Sequence, residues 1–276
     1  MNNPSCRRIA RLLVACMAFA TLACIVACKK DEDTDTPPNN NAPAPNQSID
    51  GPGAGGTDQE GDAFTSVIIG SQEWTSENLS VATYRDGTPI PHVTNPTEWA
   101  NLTTGAWCWY NNDSATYAAN YGRLYNWYAV AGIYDSASQA DPSLRKQLAP
   151  GGWHVPSDAE WNTMINFLDP AADEGNNVPN IAGGMMKTTG TIEDGTGLWY
   201  APNETASNVS GFSGAPGGFR DYYGEYHYAG YNCFWWSSSE GDTNLTWYRS
   251  LFHNIGSSLR HSLNKQSGFS VRCLRD

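Results

Sequence analysis

Side chains able to do chemistry are few in this sequence, and their spacing does not assemble them into a reactive set. Past residue 63 there are three cysteines, Cys108, Cys233 and Cys273, and none stands at metal-ligand spacing from another cysteine or a histidine. The five histidines, His92, His154, His227, His253 and His261, are scattered, with no His-x-x-x-His pair. No Gly-x-Ser-x-Gly nucleophile turn and no phosphate loop occurs. Glu193-Asp194 are adjacent carboxylates, but Gly195 after them marks a solvated turn and no acid/base partner is recognisable. Asn111-Asn112-Asp113 offers oxygen atoms that calcium accepts, and the default for such a run is an asparagine-rich turn. The reading is therefore no catalytic residue, no resident metal and no cofactor. The group best suited to recognition is Tyr222, Tyr223, Tyr226, Tyr228 and Tyr231, five tyrosines interleaved with glycines. Either they decorate a hairpin that packs on its neighbours, or one row of rings faces solvent and anchors a glycan or a protein.

The elements that must position these residues carry local signals. Residues 151–161 (GGWHVPSDAEW) read as a short strand turning straight into a helix. Pro156 holds Val155 extended, and Ser157 with Glu160 three residues later forms a capping box. Trp161, Met164, Ile165 and Leu168 then follow one helical face until Asp169-Pro170. On this reading His154 is a packed, hydrogen-bonded residue. Asn95-Pro96 with Glu98 predicts a second capped helix. Residues 67–69 and 72–74 around Gly70-Ser71 predict a hairpin. Tyr117, Tyr121, Leu124, Tyr125 and Tyr128 predict a tyrosine-rich helix over 115–130, and 135–145 reads as a polar loop. Residues 169–218 are irregular, and short β segments follow at 233–237, 246–252 and 269–273. Two or three helices, a small antiparallel sheet and long loops make an α+β domain.

All eleven tryptophans, all fourteen tyrosines and seven of eight phenylalanines lie from Phe64 onward, enough for a large aromatic core. A net charge of −12 without a run of basic residues argues against nucleic acid as partner. Arg7, Arg8 and Arg11 precede an apolar run over 12–27 that is shorter than the ~20 residues of a membrane span. This is a secretory leader, residues 1–27. Ile25-Val26-Ala27-Cys28 resembles a bacterial lipobox, which makes Cys28 the lipid-attachment residue. Lys30-Asp31-Glu32-Asp33 resembles the surface-export signal of Bacteroidota lipoproteins. Residues 28–63, poor in apolar side chains, read as a disordered tether before a domain over 64–276. The expected address is the outer membrane, exposed at the cell surface.

Seven stretches then stand in order: WTSENL (74–79), CWYNND (108–113), YGRLYNWYAV (121–130), GWHVPSDAEW (152–161), PGGFR (216–220), WWSSSE (235–240) and GFSVRCLRD (268–276). With them the chain resembles the Fibrobacter succinogenes major paralogous domain, a family of secreted bacterial lipoprotein domains. That family is similar in pattern to C-type-lectin-like folds of the sulfatase-modifying type, which implies a small twisted sheet under long loops. Both Cys108 and Cys273 fall in family-like stretches, so the resemblance implies a Cys108–Cys273 disulfide, with Cys233–Cys273 as the second pairing. Formylglycine-generating relatives of that fold hold copper with a cysteine pair near the last strand. Residues 247–269 contain no cysteine, so that chemistry is not expected. The Glu-Pro-Asn, Gln-Pro-Asp and Trp-Asn-Asp runs of calcium-dependent sugar-binding lectins are absent too. The leading expectation is a tethered, non-catalytic binding domain for an extracellular glycan or protein. A structural or adhesin-type subunit of a surface assembly comes second, and an enzyme of that fold with a different site third.

Overall fold

The computed structural model describes residues 51–172 and 179–276. The expected leader, Cys28 and the expected tether up to residue 50 lie outside the described residues. The tether's expected end at residue 63 is corrected. Strand β1 (Gly51–Pro52) pairs antiparallel with β4 (Ser66–Ile69), and β2 (Gly56–Thr57) pairs with β3 (Ala63–Phe64). Composition alone predicts disorder here because these residues bury little of their own. Their order comes from distant partners: Gln59 Nε2 donates to Leu148 O at 3.1 Å, Glu60 Oε1 accepts from Ala82 N, and Arg275 donates to Gly55 O at 2.8 Å.

The capped elements form as their side chains dictate. Strands β4 (Ser66–Ile69) and β5 (Gln72–Thr75) make the expected hairpin around Gly70. In α1 (Pro96–Ala100) the Asn95 side chain accepts from Glu98 N. Strand β6 (Trp107–Cys108) leads through the 111–113 turn into α2 (Ser114–Tyr121), capped by Asp113. The expected helix over 115–130 is instead broken at Gly122. Its φ is +66°, and a Cβ there would stand 2.9 Å from Leu79 O, so the position demands glycine. The chain continues as β7 (Leu124–Asn126) and α3 (Trp127–Val130). The 135–145 loop contains α4 (Ser136–Ala140), closed by a reciprocal Asp135–Ser138 cap. Strand β8 (Trp153–His154) turns into α5 (Asp158–Leu168) through the Ser157–Glu160 capping box, and α6 (Ala182–Met186) follows.

The C-terminal third is β-rich: β9 (Gly217–Arg220), β10 (Tyr226–Ala229), β11 (Asn232–Glu240), β12 (Leu245–Phe252), β13 (Ser258–Asn264), β14 (Gly268–Phe269) and β15 (Leu274–Arg275). The single small sheet expected becomes two larger ones. One runs β1-β4-β5-β15-β8, which places the last strand between β5 and β8. The other runs β13-β12-β11-β9-β14-β7-β6, with β10 added on β9 and one parallel pair, β11 with β9. Helices and antiparallel sheets together define an α+β domain.

Trp161 on α5 is the hub of one core, its ring centroid 4.7 Å from that of Trp74, 5.9 Å from Phe212 and 6.1 Å from Trp235. A second core gathers Tyr125, Trp127, Trp153, Trp236, Phe269 and Val271, and a third gathers Trp99, Cys108 and Tyr110. Three arginines satisfy the carbonyls of irregular segments, two of them, Arg220 and Arg272, buried and the third, Arg85, at the surface. Arg85 donates to Ala149, Pro150 and Trp153, Arg220 to Val93, Thr94 and Gly224, and Arg272 to Thr75, Phe212 and Ser213. Long loops bring many backbone oxygens inside, and a guanidinium carries five donors in a fixed fork.

The implied Cys108–Cys273 disulfide is not formed, nor is Cys233–Cys273: all three cysteines are free and buried. Cys108, Cys233 and Cys273 belong to three different cores, so sharing family-like stretches does not bring them together. Burial pushes the Cys108 thiol up to about 11 and that of Cys273 to about 12. Such thiols are inert. Alkylating the native chain is expected to leave all three unmodified by peptide mass spectrometry and to label all three after denaturation. Reductant is expected to leave the melting temperature of the domain unchanged. A reductant-dependent melt traced to these positions would contradict the assignment.

Candidate functional site

The five tyrosines of 222–231 separate into three environments set by the β9–β10 hairpin. At its turn, Asp221 Oδ1 accepts from Tyr223 N and Glu225 N, each at 2.9 Å, which projects Tyr222 and Tyr223 from the tip. Their rings lie 4.1 Å apart, and Tyr223 is 65% exposed. Tyr226 turns inward. Its ring packs on Tyr110 and against the Arg220 guanidinium, its hydroxyl donates to Asn112 Oδ1 at 2.8 Å, and burial pushes the phenol up. Of the five tyrosines it is the one whose hydroxyl and ring are both engaged within the domain.

Tyr228 and Tyr231 lie at the opposite end of the hairpin, 55% and 41% exposed. Tyr231 N donates to Tyr228 O at 3.0 Å, closing the turn between them. Tyr228 holds φ of 64°, an uncommon value for a bulky residue. Across the ladder Gly218 is also left-handed, and a Cβ there would stand 2.4 Å from His227 O. Gly218 thus lets the two strands close behind Tyr228. Gly230 does the same for Tyr200, whose ring lies 2.6 Å from where a Cβ would sit. Tyr200 N donates to Gly230 O at 2.7 Å, and its ring stacks on Tyr231 at 4.4 Å and 24°. His253 meets the Tyr231 ring edge-on at 5.1 Å, and Phe219 backs Tyr228. Exposed Ile192 borders Gly230.

Sequence reasoning misses Tyr200, which sits in the irregular 169–218 stretch with no periodicity around it. The only local signal is the Trp199-Tyr200 pair: Trp199 is fully buried and pins the segment by donating to Thr188 Oγ1 and Gly214 O. Beneath it, buried Lys187 donates to Phe252 O at 3.1 Å and Ile255 O at 3.0 Å, and burial pulls its amine down to about 8. These bonds commit its nitrogen to the scaffold.

The other candidate groups are also committed. Asn111 and Asn112 take left-handed turn conformations and Asp113 caps α2. Asp194 accepts from Thr191 Oγ1, and Glu193 accepts from Ala201 N. Among the described residues, no group of three or more His, Cys, Asp or Glu is placed to hold a metal ion. A cleft of about 350 Å³ is lined by Trp127, Leu148, His154, Ser238 and Glu240, among others. Both imidazole nitrogens of His154 are engaged, Nδ1 with Asp276 Oδ1 at 2.7 Å and Nε2 with Glu160 Oε1 at 3.0 Å. It ties the C-terminal residue to the cap of α5.

Burial disfavours the charged His154 ring, but the bonds to Asp276 and Glu160 outweigh it, and its pKa stands above the ordinary 6.5. A raised folded-state pKa contributes stability that is fully present below about pH 6.5 and is lost as pH rises through the raised value. The melting-temperature gap between wild type and His154→Gln is therefore expected to be wider at about pH 6 than at about pH 8.5. A gap that widens with pH would contradict the assignment.

Fold and surface together define an α+β domain with an arginine-stapled interior and, among the described residues, exposed tyrosines at both ends of the β9–β10 hairpin. The family model of the Fibrobacter succinogenes major domain matches residues 67–275, and the chain belongs to that family. Comparison with curated proteins and with solved structures gives no match.

Proposed function

We propose that the chain is a surface-tethered bacterial lipoprotein whose domain, of C-type-lectin-like type, binds an extracellular glycan or protein without catalysis. The observation that carries this reading is the Tyr200–Tyr228–Tyr231 group. Tyr228 and Tyr231 are exposed at a turn where Gly218 and Gly230 leave no room for a side chain, and Tyr200 stacks on Tyr231. A preorganised aromatic surface loses little entropy on binding. The lipobox-like run ending at Cys28 supports anchoring in the outer membrane, with the following polar segment as spacer.

Two tests address the two halves. Metabolic labelling with an alkyne fatty acid should mark the wild-type chain and fail on Cys28→Ser. A label that survives the substitution removes the anchor. For binding, the full chain in detergent is screened on a glycan array and in pull-downs from cell-surface extract, beside Tyr228→Ala/Tyr231→Ala. Capture by wild type and loss in the double variant is expected. Blank screens, or capture indifferent to the substitutions, would remove the binding role.

A further inference from the structure

We infer that β13 is the contact strand of a symmetric homodimer, in which a second copy of this chain lays its own β13 antiparallel along the open edge with His261 at the two-fold axis. The inference stands apart from the binding role proposed above.

A strand at the end of a sheet presents a row of N–H and C=O groups that another strand can pair with. The larger sheet ends at β6 and at β13. At β6 the chain closes its own edge: Trp107 N donates to Pro91 O at 2.9 Å and Val93 N to Trp107 O at 3.0 Å. Strand β13 pairs with β12 over seven consecutive residues without a register shift, and it contains neither proline nor lysine. Along an antiparallel strand the bonding groups of successive residues point to alternate sides. Lys265 N donates toward β12, to Asn244 O at 3.1 Å, so the odd-numbered residues bond β12 and the even-numbered ones face out. The first outward residue, Ser258, is closed by a side-chain amide. Ser258 N donates to Asn180 Oδ1 at 3.0 Å, and Asn180 Nδ2 donates to Ser258 O at 2.9 Å. At the far end Asn264 O accepts from Ser267 N at 2.9 Å. Between these stops lie Arg260 and Ser262, whose outward N–H and C=O groups have no partner among the described residues. The Arg260 side chain does not guard them. It is held on the α5 side by Asp158 at 2.8 Å and lies 3.5 Å over the Trp247 ring.

The spacing of the open groups selects the partner. Rotation about His261 sets Arg260 opposite the partner's Ser262, and Ser262 opposite the partner's Arg260. Each such pair exchanges two N–H···O=C bonds, so every open group on both copies is used. The same register sets Leu259 beside the partner's Leu263, on the face that carries Tyr248, whose ring is 6.0 Å from His261. Apolar cross-strand pairs of this kind stabilise a sheet. A shift of two residues sets an open residue against Ser258 or Asn264, whose carbonyls already hold Asn180 and Ser267, and loses part of this match. A longer foreign strand runs into Asn180 at one end and the 264–267 turn at the other. The second copy has its open stretch between the same two stops.

The test is sedimentation of the full chain in detergent over a dilution series, beside cysteine cross-linking. Wild type should show a monomer–dimer equilibrium. Ser262→Pro removes an outward N–H, a change that an edge strand tolerates. It should weaken the dimer about tenfold or more, while circular dichroism reports that the fold is kept. His261→Cys should form an intermolecular disulfide on mild oxidation, because facing residues of a non-hydrogen-bonded pair lie within disulfide reach. Ser262→Cys points to the opposite face and stands against the partner's Arg260, so it should cross-link far less, and wild type not at all. A single monomeric species up to about 0.5 mM overturns the inference. So does a dimer indifferent to Ser262→Pro, or equal cross-linking from positions 261 and 262. Protection of the Arg260 and Ser262 amides by a captured protein, with the chain still monomeric, would assign the edge to a foreign strand and overturn the homodimer.

Discussion

Arg272→Met is expected to cost about 3–5 kcal/mol of stability, read as a lower midpoint in urea. The guanidinium is buried to 1% exposure and lies over the Phe212 ring at 4.5 Å. It donates to Asn78 Oδ1 at 2.8 Å, Thr75 O at 2.7 Å, Phe212 O at 2.9 Å and Ser213 O at 3.0 Å. A buried acceptor left without a donor costs about 1–3 kcal/mol. The four do not sum, because the charge was itself costly to bury: desolvation pulls the Arg272 pKa down to about 9. Removing it returns part of that penalty. Arg272→Lys keeps a charge but supplies one nitrogen for four acceptors in different directions, so only partial recovery is expected. A methionine variant within about 1 kcal/mol of wild type would mean that the loop carbonyls find other donors.

Trp161→Ala is expected to be comparably severe, about 3–5 kcal/mol. Its ring is fully enclosed by Trp74, Phe212 and Trp235, and its loss opens a void where α5 meets both sheets. Trp161→Phe gives the sharper contrast. The Trp161 indole N–H is buried without a hydrogen-bond partner, so phenylalanine removes an unsatisfied donor along with volume. Its cost should fall well below that of alanine, to about 1–2 kcal/mol. Equal costs for both variants would place the indole nitrogen, and not the ring volume, at the centre of the site's energetics.

Legibility in the sequence follows the range of the interactions. Ser157–Glu160 and Asn95–Glu98 are readable because a cap joins residues three apart, and both helices begin where those side chains act. The face Trp161, Met164, Ile165 and Leu168 is likewise buried as its spacing requires. The tyrosine helix misleads because spacing survives a break: Gly122 stops α2, yet Leu124 and Tyr125 are still buried, now on a strand. Residues 51–63 look like tether because their partners, Ala82, Leu148 and Arg275, are far along the chain. The cysteine pairing fails for the same reason. Of the aromatic surface, Tyr228 and Tyr231 are visible in the glycine-rich run, while Tyr226 needs Tyr110 and Arg220 to show that it faces inward. Tyr200 becomes visible only when Gly230 brings it onto Tyr231.

The most direct measurement is photochemically induced nuclear polarisation of tyrosine in the full chain, with and without a glycan or protein that the chain captures in the screens. Tyr223, Tyr228 and Tyr231 should polarise in the free chain, and buried Tyr84 and Tyr125 should stay silent. Added ligand should quench Tyr228 and Tyr231 and leave Tyr223 bright. Silence of Tyr228 and Tyr231 in the free chain would contradict the aromatic surface. Their unchanged signal in the presence of a ligand that the chain demonstrably holds would contradict its role in binding.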